Sequence, residues 1–163
     1  MTLYTWIDSP LGRILLTSDG EKLTGLHFER EKYFPRIVED WLESPRALVL
    51  ARAARQIHEY FAGERDRFDL PLAPAGTPFQ QRVWQQLLHI RCGETTTYGE
   101  IARRIGSPQS GRAVGAAIGR NPISIVVPCH RVVGSTGALT GYAGGLERKR
   151  ALLARESAAD LVS

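Results

Sequence analysis

A chain of 163 residues, 43% hydrophobic and 23% charged, supports one ordinary core or two small domains sharing a seam, and excludes extensive disorder. No apolar run nears the roughly 20 residues that span a bilayer, and Met1–Asp8 lacks the layout of a secretion signal, so a cytoplasmic protein without membrane contact is expected. Two cysteines, Cys92 and Cys129, exclude a disulfide framework, and the net charge of +4 divides unevenly: residues 1–75 carry 10 basic and 12 acidic side chains, residues 76–163 carry 11 and 5. The basic second half points to a polyanionic partner, the alternative being chance clustering on a solvated surface.

Three β-like runs open the chain: Leu3–Ile7, Arg13–Thr17 and Leu23–Phe28. Turn signals at Ser9–Gly12 and Ser18–Gly20 separate them and predict a three-stranded antiparallel meander. Leu50, Ala53, Ala54, Ile57 and Phe61 recur at helical spacing and predict a helix over Arg46–Ala62, stopped by Gly63. Pro71, Pro74, Gly76 and Pro78 crowd one short stretch and mark a junction between domains 1–74 and 75–163.

Thr77 reads as an N-cap with Pro78 just inside a helix that carries Phe79, Val83, Trp84, Leu87 and Leu88. Tyr98–Ile105 forms a second helix, Gly106-Ser107-Pro108 breaks it, and a third runs over Ser110–Arg120. Two short helices joined by a Gly-containing turn make a helix-turn-helix. On the third, Val114, Ala117 and Ile118 face inward. The opposite side shows Arg112, Gly115, Ala116, Gly119 and Arg120, two arginines framing nearly bare backbone. Such a face can press its backbone against another surface, and the flanking arginines suit phosphates; tight packing on a neighbouring helix is the other reading. The β-branched run Ile123–Val127 predicts extended chain into Pro128–Val133, and a glycine-rich stretch leads to a last helix over Leu146–Glu156.

Cys129 carries the chemical interest. It follows Pro128 and precedes His130 and Arg131, whose charges favour the nucleophilic thiolate. In extended chain, neighbouring side chains point to opposite faces, so a direct Cys129–His130 contact needs a local turn or a bridging water. Cys92 reads as a small buried hydrophobe. No second Cys or His stands at finger-like spacing, so no metal is expected. No Gly-x-Gly-x-x-Gly follows a strand, so no cofactor is expected either. On the last helix Lys149, Leu152, Leu153 and Glu156 share a face, which turns a carboxylate toward apolar company where it needs a partner; an exposed helix-end Glu is the alternative.

Ile125-Val-Val-Pro-Cys-His-Arg-Val-Val133, with Arg112–Ala116, Asn121-Pro122, Tyr98-Gly-Glu100 and Thr140–Gly145 around it, resembles the O6-alkylguanine-DNA alkyltransferases of bacterial type over the whole second half. The resemblance implies an α/β (α+β) protein, with a ribonuclease H-like sheet-plus-helix domain before a winged helix-turn-helix-like domain. It also implies suicidal, single-turnover transfer of an alkyl group from guanine O6 to Cys129, after the base is flipped from the duplex. O4-alkylthymine is left open as a second substrate. His130 would be the base acting through water, Glu156 would orient it, Tyr98 would serve guanine N3, and Asn121 would be a hinge. Arg112 would fill the gap left by the flipped base. Tyr98, Gly115, Ala116, Gly119 and Arg120 would meet the minor groove of double-stranded DNA, and Pro128, Val132, Tyr142 and Ala143 would line the alkylguanine pocket. A monomer is implied, with clustering of copies along DNA left open. Some relatives carry N-terminal zinc ligands, but no Cys stands here before Cys92. Ala143 stands where many members have Ser. Ser110-Gly111 stand where helix-favouring residues are common, which would loosen the start of that helix.

Overall fold

A computed structural model describes residues 1–162, with side chains through Ser157; Ser163, the last residue of the expected second domain, lies outside them. β1 (Leu3–Ile7), β2 (Ile14–Ser18) and β3 (Leu23–Phe28) pair antiparallel. Gly12 turns the first hairpin at φ +112°, a conformation that side chains disfavour. A two-residue strand, β4 (Leu42–Glu43), adds parallel to β1 and gives the order β3-β2-β1-β4. It extends the predicted meander by one strand, and two residues are too few for a period to reveal.

β2 is buried along its whole length. One side packs under α1 (Leu48–Phe61), which turns Val49, Leu50, Ala53, Ile57, Tyr60 and Phe61 inward at helical spacing. α1 starts two residues later than predicted, with Ala47 at its N-cap supplying no side-chain bond. Gly63 ends the turn beyond it at φ +78°.

Thr77 caps α2 (Pro78–Leu87) as predicted, and does so in a reciprocal box with Gln80. α2 packs on α3 (Tyr98–Arg104) and α4 (Gly111–Gly119), and the Trp84 indole donates to the Ala117 carbonyl at 2.8 Å. Ser110 makes no capping bond at the start of α4, in line with the loosened beginning read from Ser110-Gly111. β5 (Thr96–Thr97) pairs parallel with β6 (Val132–Val133), and α5 (Leu146–Val162) closes the fold. Both halves feed one apolar core: Leu16, Leu26 and Phe28 lie in the same cluster as Trp84, Ile118, Val127 and Leu152. Among the described residues no helix is long and apolar enough to cross a membrane.

The segment before Cys129 departs from expectation. Residues 123–127 coil instead of extending: Val127 N–H donates to the Ile123 carbonyl at 3.0 Å, and Ile125 takes φ +71°. A β-branched residue in that region is strained. The free edge of β3 holds the coil, with Leu26 N–H donating to Pro122 O at 2.9 Å and Leu26 O accepting from Ser124 N–H at 3.2 Å. Cys129–Arg131 then form a single 3₁₀ turn. Sequence periodicity misses it because β-branched residues score as strand wherever they stand.

Candidate active site

The 3₁₀ turn lays Cys129, His130 and Arg131 inside the protein, all buried. Asn121 makes the turn possible. Its amide donates to the Val127 carbonyl at 2.8 Å, and its oxygen accepts from Ile123 N–H at 3.0 Å. One side chain thus ties the two ends of the coil together, beside the backbone bonds from Val127 N–H to Ile123 O and from Cys129 N–H to Val127 O.

His130 Nε2 lies 2.7 Å from Glu156 Oε2, so α5 delivers the carboxylate to the imidazole as expected. Arg131 forks onto the same carboxylate, Nε to Oε1 at 2.8 Å and Nη2 to Oε2 at 3.0 Å, and its Nη1 donates to Ile90 O at 2.7 Å. Tyr60 of α1 donates its hydroxyl to Glu156 Oε2 at 2.6 Å. Burial alone would raise the carboxyl's pKa, but donation from His130 and Arg131 outweighs it and holds the group at about 2. Burial pushes His130 below the ordinary imidazole value, more strongly than Glu156 pulls it up. The imidazole is therefore neutral near pH 7. A 2.7 Å bond to an anion assigns the ring proton to Nε2. That leaves Nδ1 bare, buried and without a protein partner.

The flanking charges do not act on Cys129 as expected. Burial pushes its thiol up to about 11, helped by the charge of Glu31, and outweighs the Asn121 amide, the Lys149 ammonium and a backbone hydrogen bond, which work in the other direction. Arg131 cannot help, because its fork is committed to Glu156. The resting cysteine is a thiol, and forming the thiolate needs a base. Lys149, fully buried, donates to Thr140 O at 2.7 Å and Gly141 O at 3.2 Å and lies 5.9 Å from the Tyr98 ring centre. Burial lowers its pKa.

Tyr98 opens α3, half-buried, its hydroxyl donating to Thr140 O at 3.2 Å. The Tyr142 hydroxyl is buried, and burial, with the nearby Cys129 second, raises its pKa well above the usual phenol range. Gly144 is needed here, since a Cβ would stand 2.8 Å from the Tyr142 ring. The Ala143 carbonyl accepts from Lys32 N–H at 2.8 Å, and Val132 pairs with Thr96 across β5 and β6. Pro128 borders a cleft of about 700 Å³ shared with Cys92 and Arg131. Cys92 is half-buried rather than buried, because it sits in the turn after α2 and not in the core.

Arg112, Ala116 and Arg120 are exposed on α4, with Gly115 and Gly119 half-buried between them; Val114, Ala117 and Ile118 are buried opposite. This face stands apart from the His130–Glu156 pair and connects to it through Asn121, the residue after Arg120. The Arg120 guanidinium lies 3.8 Å from the Tyr33 ring centre, a contact with the first half that the sequence did not reveal. Tyr60, Arg131 and Lys149 were missed as parts of the site. Tyr60 falls on a helix face that looks simply apolar, Lys149 was read only as sharing the inward face of Glu156, and the adjacency of Arg131 to Cys129 pointed to the wrong partner. Among the described residues no cluster of three or more His, Cys, Asp or Glu side chains could hold a metal ion.

This geometry has close counterparts. The family model of the 6-O-methylguanine DNA methyltransferase ribonuclease-like domain matches residues 2–74, and that of the DNA binding domain of the same family matches residues 78–158. A methylated-DNA–protein-cysteine methyltransferase of Mycobacterium tuberculosis is 51% identical over 156 residues, covering 96% of this chain and 93% of the relative. One from Haemophilus influenzae is 48% identical over 154 residues, 94% and 85% of the two chains. The crystal structure of the M. tuberculosis protein in complex with DNA superposes with a TM-score of 0.89 at 49% identity, covering 96% of this chain and 94% of that one. The methyltransferase from Pyrococcus kodakaraensis gives 0.68 at 28% identity, covering 96% and 99%. With both halves matched in order along nearly its whole length, the chain belongs to the 6-O-methylguanine DNA methyltransferase family.

Proposed function

We propose that this protein repairs alkylated DNA by direct reversal, transferring the alkyl group of O6-alkylguanine to Cys129 once per molecule. The observation that carries the reading is the buried His130, its Nε2 bonded to Glu156 and its Nδ1 bare, one residue from a buried thiol that needs a base.

The thiol proton passes through a water to His130 Nδ1, and Glu156 stabilises the imidazolium that results. Cys129 Sγ attacks the alkyl carbon in line, the S–C bond forms, and the C–O6 bond breaks with its electron pair left on the guanine. Tyr98 supplies a proton or hydrogen bond to guanine N3 as that charge develops. The product is a thioether, which has no easy reverse route, so the protein is consumed. Guanine O6 lies inside the duplex, so the nucleotide must be flipped out, at a cost of a few kcal/mol. The carbonyl of Val132 and the backbone at Tyr142-Ala143, next to Pro128, read the flipped base. Asn121 is the hinge that ties this pocket to α4.

The bare face of α4, with Gly115, Ala116 and Gly119 between Arg112 and Arg120, lies along the minor groove, and Arg112 enters the gap left by the base. Residues 1–74 support the site, and residues 75–163 bind DNA and perform the transfer. The protein acts as a monomer in the cytoplasm. Counting guanines restored per protein molecule tests the reading. A plateau at one per molecule is expected with excess methylated duplex, whereas continued turnover, or none, would sink it. The same assay with O4-methylthymine duplex settles that substrate.

A further inference from the structure

Tyr60 lies 96 positions from Glu156 in the chain, yet its hydroxyl makes one of the shortest bonds in the site, 2.6 Å to the same Oε2 that His130 uses. We propose that Tyr60, on α1 of the first half, is a positioning residue that sets the basicity of His130 through Glu156. The inference rests on the role given above to the His130–Glu156 pair.

Oε2 receives three donors, from Tyr60, His130 and Arg131, while Oε1 takes only the Arg131 Nε. A neutral phenol on Oε2 draws part of the anionic charge away from the imidazole without adding a cation of its own. The carboxylate therefore fixes the His130 ring and its Nε2 proton while pulling less strongly on a second proton at Nδ1. Tyr60 is itself held by aromatic packing, its ring 5.2 Å from Phe61 and 5.7 Å from Phe68 between centroids. Its hydroxyl is aimed, not hanging. Burial and the neighbouring Glu156 both keep the phenol protonated, so it stays a donor throughout the working pH range. The charged and titratable groups acting on the pair are Arg131 of the 3₁₀ turn and Lys149 of α5, with Cys92 acting on Tyr60 and Arg131. Among the described residues, Tyr60 is the side chain of the first half that donates to the carboxylate.

The test is Tyr60→Phe in the full-length protein, with Phe68→Leu as a control that disturbs the same aromatic cluster without touching Glu156. His130 is titrated by NMR in the absence of DNA, and the methyl-transfer rate is followed against pH on methylated duplex. Tyr60→Phe is expected to raise the His130 pKa by roughly half a unit or more and to move the acid limb of the rate profile upward by the same amount, slowing transfer on that limb and not on the plateau above it. Phe68→Leu is expected to lower Tm alone. Unchanged His130 titration in Tyr60→Phe, or an equal shift in Phe68→Leu, would overturn the proposal. Because the titration needs no substrate, a shifted His130 in a protein that never transfers methyl would contradict the repair reading and leave the Tyr60 coupling standing.

Discussion

Glu156 accepts four hydrogen bonds from three side chains, and protonating it would weaken all of them. Its folded pKa of about 2 lies below the ordinary 4.5, so the stability it contributes is present above the ordinary value and is lost as pH falls toward 2. At about 1.4 kcal/mol per unit the loss is on the order of 3 kcal/mol. His130 works in the same direction: a buried imidazole held below its usual pKa lets the unfolded chain take the proton first as pH drops. Glu156→Gln is expected to cost ~3–5 kcal/mol at pH 7, because Arg131 is left as a buried cation without its partner, and to flatten the decline between pH 5 and 2. Urea unfolding from pH 7 down to pH 2 measures both. Parallel wild-type and variant curves would show that the carboxylate is not the acid-sensitive group.

At the scale of elements, the proposed function draws on two segments, the coil 121–131 and helix α4. Asn121→Ala orphans the buried Ile123 N–H, at about 1–3 kcal/mol, and leaves the Val127 carbonyl with only its bond from Cys129 N–H. It should therefore lower Tm and slow methyl transfer by at least roughly tenfold, if the 3₁₀ turn depends on it as the bonds indicate; normal kinetics in a destabilised variant would divorce the turn from the chemistry. On α4, Gly115 has ordinary room for a Cβ, 3.9 Å from the Tyr98 ring. Gly115→Ala should thus stabilise the free protein by about 0.5–1 kcal/mol through helix propensity while weakening DNA affinity, since the added methyl stands on the bare face. Calorimetry and a binding titration separate the two effects, and tighter or unchanged DNA binding would mean that this face is not the one DNA meets. Arg112→Ala should impair repair of duplex more than of single strands, and equal losses would deny it the gap-filling role.

These same elements show what was legible in the chain. The meander, the Thr77 cap and the inward face of α4 follow from local period and turn chemistry, so they could be read directly. Glu156 was legible for the same reason, because helical spacing turns it inward with Lys149 and Leu152. The coil at 123–127 was not. Its shape comes from Asn121 and from the edge of β3, which is distant in sequence. Tyr60 stayed hidden, and Lys149 was seen turning inward but not what it meets, because a helix face lists its residues without naming what they touch across the core.

Across the whole molecule, one apolar core joins a near-neutral half to a strongly basic one, and the hydrogen-bonded edge of β3 steadies the coil that carries Cys129. With the α4 arginines on phosphates, as proposed, binding to undamaged duplex should fall roughly tenfold or more between 50 and 200 mM salt; a flat salt response would point to a different partner. The most direct measurement is the intact mass of the protein after exposure to excess duplex containing one O6-methylguanine, followed by peptide mapping. The expected result is a single added methyl on every molecule, located on Cys129 and absent in Cys129→Ser. An unmodified Cys129 after saturating exposure, or an equal mass gain in Cys129→Ser, would contradict it.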